Sequence, residues 1–114
     1  PDLPGKRSNE RSKGALTTEL VLAPDTELDL VEAYAWYEDL RPGLGAEFLG
    51  CVDACIETIV RRPQLYGAVH ESYRRALVRR FPYAVFYEYS RGVATIYGVL
   101  HTARDPAKWR GRVS

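Results

Sequence analysis

The sequence contains only two cysteines and two histidines among its 114 residues. It has no apolar run near the ~20 residues that a membrane-spanning helix needs. It also has no basic segment followed by an apolar one, which is the layout of a secretory signal. These absences argue against a membrane protein and a disulfide-stapled secreted one. We therefore predict a cytoplasmic protein with no membrane partner.

The two cysteines, Cys51 and Cys55, are four residues apart within a helical pattern. Their side chains share one helix face, but consecutive turns of a helix fit disulfide geometry poorly. We interpret them as reduced, small core residues. A metal site needs further ligands, and two distant histidines are weak support for one. We predict neither a metal nor a cofactor.

Charge is divided unevenly along the chain, although the net charge is only +1. Residues 19–60 contain ten acidic side chains and one basic one, whereas residues 71–114 contain nine basic and three acidic ones. Such asymmetry favours one surface suited to an anionic partner. Complementary packing of the two halves, or plain solvated charge, is the alternative interpretation.

The first residues differ in composition from the rest. Residues 1–16 are rich in proline, glycine, serine and charge, with almost nothing to bury. Segments of this kind form arms rather than cores. We expect a flexible N-terminal arm at residues 1–16 and one domain at residues 17–114, a length that can bury a single modest core.

Helical periodicity dominates the first half of that domain. After a β-rich segment at 17–23, residues 24–27 open a helix that Asp25 can cap. Its apolar residues recur at helical spacing, which predicts a broad buried stripe. The members of this stripe are Leu28, Val31, Ala35, Leu30, Tyr34 and Tyr37. Trp36 is also expected to pack in the core or the helical hairpin.

The break at residues 41–43 separates this helix from a second one that ends near Arg62. The second stripe comprises Leu44, Phe48, Val52, Cys55, Ile56 and Ile59. The short connection predicts an antiparallel helical hairpin.

From residue 73 onward the period becomes two, which is typical of strands. We predict strands at 73–80, 82–89 and 93–100, with a hairpin turn at 90–92. Helices followed by strands indicate an α+β domain, in which a helical hairpin covers one face of a mainly antiparallel sheet of about four strands. The strands carry too many Arg and Tyr side chains for the core, so some of these must lie on the other face.

Three segments together carry a resemblance to a known family. They are AYAWYEDLRPGLGAEFL, RRALVRRFPYAVFYE and VLHTARDPAKW, in that order and spacing. Over about residues 17–110 the chain resembles the RelE/ParE family of toxins from bacterial toxin–antitoxin modules. The resemblance implies the same α+β fold. It also implies a cognate antitoxin as partner, with a homodimer or a toxin–antitoxin hetero-oligomer as assembly.

The family splits by target. RelE-like members are ribosome-dependent ribonucleases that use basic and aromatic side chains on the concave face of the sheet. ParE-like members lack that set and act on DNA gyrase. Only the first basic place of the ribonuclease pattern is filled here, by Arg75. The other places hold Leu77, Ala84, Thr102, and Lys108 with Trp109.

The segment VLHTARD is similar to the ParE-like version. We therefore expect a ParE-like toxin that is neutralised by an antitoxin and acts on DNA gyrase, and we lean against an enzyme. The alternatives are a ribosome-dependent mRNA endonuclease and an inactive, binding-only family member.

Two sets of candidate residues follow, and both rest mainly on arginine. For partner binding we expect Arg74, Arg75, Arg79, Arg80, Arg104 and Trp109. The alternative catalytic set is Arg75, Arg79, His101 and Arg104. Histidine is a common general base in enzymes, so His101 could act as one, but no local serine or carboxylate is spaced to orient it. A structural or partner-contacting role for His101 therefore stands beside the catalytic one.

Overall fold

A computed structural model describes residues 18–70 and 72–103. The elements in chain order are β1 (Glu19–Leu22), α1 (Pro24–Leu40), α2 (Leu44–Arg61), β2 (Ala68–His70), β3 (Tyr73–Leu77), β4 (Tyr83–Ser90) and β5 (Val93–His101). The expected N-terminal arm at residues 1–16 lies outside the described residues. None of the described helices is long and apolar enough to cross a membrane.

Within the described residues the sheet has five strands, in the order β1-β5-β4-β3-β2. β1 runs parallel to β5, and the other neighbours are antiparallel. The predicted α+β class and helical hairpin are confirmed, with one strand more than expected. The additional strand, β2, has only three residues, too few to show a two-residue period.

The β4–β5 hairpin turns at Arg91 and Gly92, which both have positive φ (53° and 81°). A two-residue turn with this conformation matches the twist of paired strands. The turn therefore lies where the sequence predicted it. It also fixes the register, which begins with Ser90 opposite Val93.

The core lies between the helical hairpin and one face of the sheet, which we call the inner face. Phe48, Val52, Cys55 and Ile59 from α2 are buried there, as their spacing predicted. An aromatic group formed by Tyr37, Phe48, Phe81 and Tyr83 fills one end, with ring centroids 4.9 to 6.0 Å apart. Burial of such large rings contributes much of the hydrophobic stabilisation of a small domain.

The predicted stripe of α1 is mostly wrong. Leu28 and Val31 are 62% and 66% exposed, and Trp36, expected in the core, is 52% exposed. The buried residues are Thr26, Asp29, Ala33 and Tyr37. Because α1 is apolar on several faces, its sequence alone does not decide which face is buried. The helix begins at Pro24 after Ala23, with no side-chain cap, so the cap expected from Asp25 is not formed.

Two polar residues of α1 are buried because they form hydrogen bonds with backbone groups of β5. β1 ends opposite Ile96, and none of the described strands lies beside the rest of β5 on that side. Asp29 accepts a hydrogen bond from the Val99 N–H at 3.0 Å. The Thr26 hydroxyl donates to the Ile96 carbonyl at 2.9 Å. Buried backbone groups require such partners, so α1 completes the ladder that β1 leaves short.

Candidate partner-binding cleft

A cleft of about 430 Å³ opens between α2 and the end of β3. The floor of the cleft is formed by α2. Small residues, namely glycine, alanine, cysteine and threonine, recur on the face of this helix that borders the cleft, and they leave space above the helix. The lining residues are Gly50, Cys51, Ala54, Cys55, Thr58, Tyr66, Leu77, Arg79 and Arg80. The cleft thus combines a mainly apolar floor with two cations at its rim.

The floor is anchored to the sheet through Cys55. Its thiol lies 3.8 Å from the carbonyl oxygens of both Ala76 and Leu77, which are weak hydrogen-bond acceptors for it. Burial raises the pKa of the Cys55 thiol to about 11. A protonated, buried thiol is unreactive. Both cysteines are free, as predicted, and Cys51 is only partly buried.

The wall of the cleft that contains Tyr66 is fixed by hydrogen bonds from Arg74. Its guanidinium donates to the carbonyl oxygens of Gln64 and Tyr66, in the segment between α2 and β2. The Tyr87 hydroxyl donates to the Pro63 carbonyl of the same segment at 2.7 Å. Arg74 therefore positions Tyr66, and one nitrogen of its guanidinium is already engaged within the chain.

Arg80 is tied to the helical hairpin through Glu47. Its Nη2 lies 3.0 Å from Glu47 Oε1, and Arg41 Nη2 lies 3.4 Å from Glu47 Oε2. The hydrogen bond from Arg80, with the charges of both arginines, lowers the pKa of Glu47. The hydrogen bond to Glu47 and the proximity of Cys51 raise the pKa of Arg80. Arg80 has a φ of 71°, an uncommon conformation outside glycine.

Arg79 is the more available cation of the cleft. Its side chain is exposed, and it forms no ion pair with any residue in the described ranges. Arg75, in contrast, pairs across the strands with Phe86 on the face of the sheet away from the helices. The arginines of β3 and its following turn therefore do not form one surface. Arg104 and Trp109 lie outside the described residues.

His101 lies on the inner face, where its ring meets Tyr83 edge-on at 5.3 Å. Its Nδ1 accepts a hydrogen bond from the Ala103 N–H at 3.1 Å. Arg75 is on the opposite face, so the structure does not bring these two members of the alternative catalytic set together. The described geometry of His101 is that of a residue that ends β5 and covers the aromatic group.

A polar group that the sequence did not predict lies on the outer face of the sheet, the face away from the helices. The Ser72 hydroxyl donates to Glu88 Oε2 at 2.7 Å, and the Tyr97 hydroxyl to Glu88 Oε1 at 3.4 Å. The rings of Tyr73 and Tyr97 are 5.5 Å apart. Burial and the charge of Glu88 raise the pKa of Tyr97. Pairing of Tyr73 with Glu88 across β3 and β4 explains the group, but this register was not readable in advance.

Two further residues were not predicted from the sequence: Tyr66, which lines the cleft, and Glu47, which pairs with Arg80 at its rim. One signal was present for Glu47. It is four residues before Cys51 and eight before Cys55, so the three lie on one side of the helix, and Cys55 also belongs to the core stripe. No comparable signal exists for Tyr66, whose place depends on Arg74.

Comparison with known proteins finds a similar solved structure but no match at the level of sequence. No model of a known protein family matches the sequence, and no curated protein matches it. The structure is similar to a chain of a solved structure described as the chromosomal ParDE TA system from P. aeruginosa. The TM-score is 0.67, with 16% sequence identity, over 75% of this chain and 96% of that chain. The fold expected from the family resemblance is thereby confirmed.

Proposed function

We propose that the chain is the toxin of a type II toxin–antitoxin module, ParE-like in subclass, which acts on DNA gyrase when free. The observation that carries the proposal is the fold shared with a chain of a ParDE system, in a sequence without most of the ribonuclease residues. A fold hosts several functions, so the side chains of the cleft must supply the rest of the argument.

The cleft has the chemistry of a site for an acidic, amphipathic segment. Its volume lies in the range of pockets that hold a few side chains or a small ligand. Cys51 and Ala54 provide apolar contact, and Arg79 and Arg80 provide positive charge at the rim. An antitoxin segment with carboxylates beside apolar anchors would be attracted by charge and held by burial.

Glu47 gives this site an internal competitor. It occupies Arg80 in the free chain, so an antitoxin carboxylate must displace it or bind Arg79 instead. Arg79 is therefore the first cation that the antitoxin meets. Its contribution acts mainly through long-range attraction, which salt screens.

The binding test begins with identification of the antitoxin as the protein whose co-expression restores the growth of cells that express this chain. Stopped-flow association is then measured across a salt series. Arg79→Glu should slow association by roughly tenfold at low salt, whereas the control Arg75→Glu, on the outer face, should have a much smaller effect. Glu47→Gln should speed association by releasing Arg80. Equal effects of Arg79→Glu and Arg75→Glu would mean that the cleft is not the antitoxin site.

A rival function, the ribosome-dependent mRNA endonuclease, draws on one observation. Glu88, Tyr73 and Tyr97 lie together on the outer face with Arg75 nearby on β3, and a carboxylate beside phenols is a potential acid–base pair. Against it, Leu77, Ala84 and Thr102 stand where the ribonuclease pattern expects cations, so little would stabilise the charged phosphate in the transition state.

Primer extension on transcripts from induced cells separates the two functions. We expect no codon-registered cuts. Cuts that disappear in Arg75→Ala or Glu88→Gln, but persist in the inner-face variant His101→Ala, would establish the endonuclease and reject the gyrase proposal.

A further inference from the structure

The first helix, α1, presents a line of apolar side chains to solvent. Leu28 and Val31 are 62% and 66% exposed, and Ala35 is exposed as well. These residues are spaced at i, i+3 and i+7, so they form one line along the helix. We call Leu28, Val31 and Ala35 the α1 seam. It lies on the side of the helix opposite the face on which Thr26 and Ala33 are buried.

This arrangement is the reverse of an ordinary surface helix. A helix on the surface of a globular domain buries its apolar side chains and exposes its polar ones. α1 instead buries Thr26 and Asp29, which bond the backbone of β5, and exposes Leu28 and Val31. Among the described residues, six large apolar side chains are more than half exposed, and four of them lie on α1. Such a concentration marks a contact surface for a partner.

Acidic side chains flank the α1 seam on both sides. If Leu28 and Val31 are the a and d positions of a heptad, Glu27 and Glu32 are the g and e positions, which border a contact between two helices. Both glutamates are exposed. Residues 18–40 contain seven acidic side chains and no basic one. Charge complementarity therefore requires a partner helix whose apolar residues are bordered by lysine or arginine.

We propose that the α1 seam docks a basic amphipathic helix of the protein that the chain inhibits. The inference rests on the proposed function, because it takes that inhibited protein as the partner. An enzyme that holds DNA needs basic surfaces, since a DNA duplex carries one negative charge per ~1.7 Å of its axis. Attraction between such a surface and the carboxylates of α1 steers the encounter, and burial of Leu28 and Val31 holds the complex together.

Charge separates this partner from two other candidates. The antitoxin segment proposed for the cleft is acidic, so the carboxylates beside the α1 seam repel it. Two copies that met seam to seam would bring their Glu27 and Glu32 side chains together, which opposes binding for the same reason. Among the described residues, none of α1 lines the cleft. The antitoxin and the inhibited protein therefore have separate surfaces on this chain.

Growth arrest in cells, measured together with antitoxin binding, tests the inference. The double variant Leu28→Ser, Val31→Ser should fold, because both side chains are exposed, and should bind the antitoxin at an unchanged rate. It should require at least about tenfold more chain for the same growth arrest, as expected when central apolar contacts of an interface are lost. The matched control is Leu40→Ser. Leu40 is on the same helix and is also 62% exposed, but it lies about 120° around the helix axis from Leu28, so its substitution should have no effect.

Charge reversal provides a second arm of the test. The double variant Glu27→Lys, Glu32→Lys should weaken growth arrest by a similar factor, because it repels a basic partner. The control reverses two exposed acids of α2, Asp53→Lys with Glu57→Lys, and should leave growth arrest unchanged. The same variants are then titrated into a supercoiling assay with purified DNA gyrase. The concentration for half-inhibition should rise in the two seam variants and in neither control.

The outcomes distinguish failure of the inference from failure of the proposed function. If the wild type and the seam variants inhibit gyrase equally, the inference is wrong and the proposed function stands. If the wild type has no effect on gyrase but only the seam variants lose growth arrest, gyrase is not the target and the seam is the docking surface for another one. Loss of antitoxin binding in the seam variants would assign the seam to the antitoxin. A stable dimer of the free chain that these variants abolish would assign it to a second copy. Either result overturns the inference, as does a wild type that causes no growth arrest.

Discussion

Tyr87→Phe tests whether the hydrogen bond from Tyr87 stabilises the wall of the cleft. The Tyr87 side chain is fully buried, and its hydroxyl donates to the Pro63 carbonyl at 2.7 Å. The substitution keeps the ring and removes one donor, so it leaves no large cavity. Loss of such a bond, with its acceptor left partly buried, costs about 1.5 kcal/mol. For a domain of this size the melting temperature should fall by roughly 6–12 °C.

The pH dependence of this difference has a defined sign. Burial raises the pKa of Tyr87 from 10 to about 12, so the folded state favours the neutral phenol. The stabilisation is complete below pH 10, where the phenol is neutral in both the folded and the unfolded chain. Above pH 10 it is lost at about 1.4 kcal/mol per pH unit. The advantage of the wild type over Tyr87→Phe should therefore vanish near pH 11.

Urea unfolding followed by circular dichroism, from pH 7 to pH 11, measures both effects. Tyr89→Phe, a half-buried tyrosine on the same strand, is the control and should show little change. The buried Cys55 thiol also destabilises the fold at high pH, but it is common to all three chains and cancels. A cost below ~0.5 kcal/mol at pH 7, the size of an ordinary surface change, would show that the Tyr87 hydrogen bond does not stabilise the fold. A difference that stays constant from pH 9 to pH 11 would show that the folded state does not favour the neutral phenol.

Three further predictions concern stability, and urea unfolding measures each. Asp29→Ala should cost about 1–3 kcal/mol, because it leaves the buried Val99 N–H without its acceptor; a smaller cost would show that water takes its place. Leu28→Ser should change stability by less than ~0.5 kcal/mol, as expected for a surface residue, whereas Phe48→Ala should cost about 3–5 kcal/mol; similar costs for the two would contradict the assigned face of α1. Deletion of residues 1–16 should change stability by less than ~1 kcal/mol, and a larger loss would show that these residues pack on the domain.

The sequence predicted the second helix and the β4–β5 hairpin well because each signal there was local. The stripe of α2 has a single apolar face, and the turn at Arg91 and Gly92 has the chemistry of a two-residue hairpin. The first helix was predicted in extent but not in orientation. Apolar residues surround it, and the buried face was decided by the need of β5 for Thr26 and Asp29, which depends on where β1 stops.

The composition of the cleft was harder to predict from the sequence, because its residues come from elements that are far apart in the chain. The adjacent arginines predicted one basic surface. However, neighbouring residues of a strand point to opposite faces of the sheet, and the chain turns after β3, so the four arginines lie in different parts of the domain. Arg74 binds backbone carbonyls, Arg75 lies on the outer face, and Arg79 and Arg80 reach the cleft. Glu47, 33 residues before Arg80 in the chain, shows why such pairs need the three-dimensional fold to be recognised.

The most direct test of the proposed function is a supercoiling assay with purified DNA gyrase and relaxed plasmid, titrated with the purified chain. If the proposed function is correct, supercoiling is lost as the chain is added and is restored when the antitoxin is present in excess. Full gyrase activity in the presence of a folded chain that arrests growth in cells would contradict it.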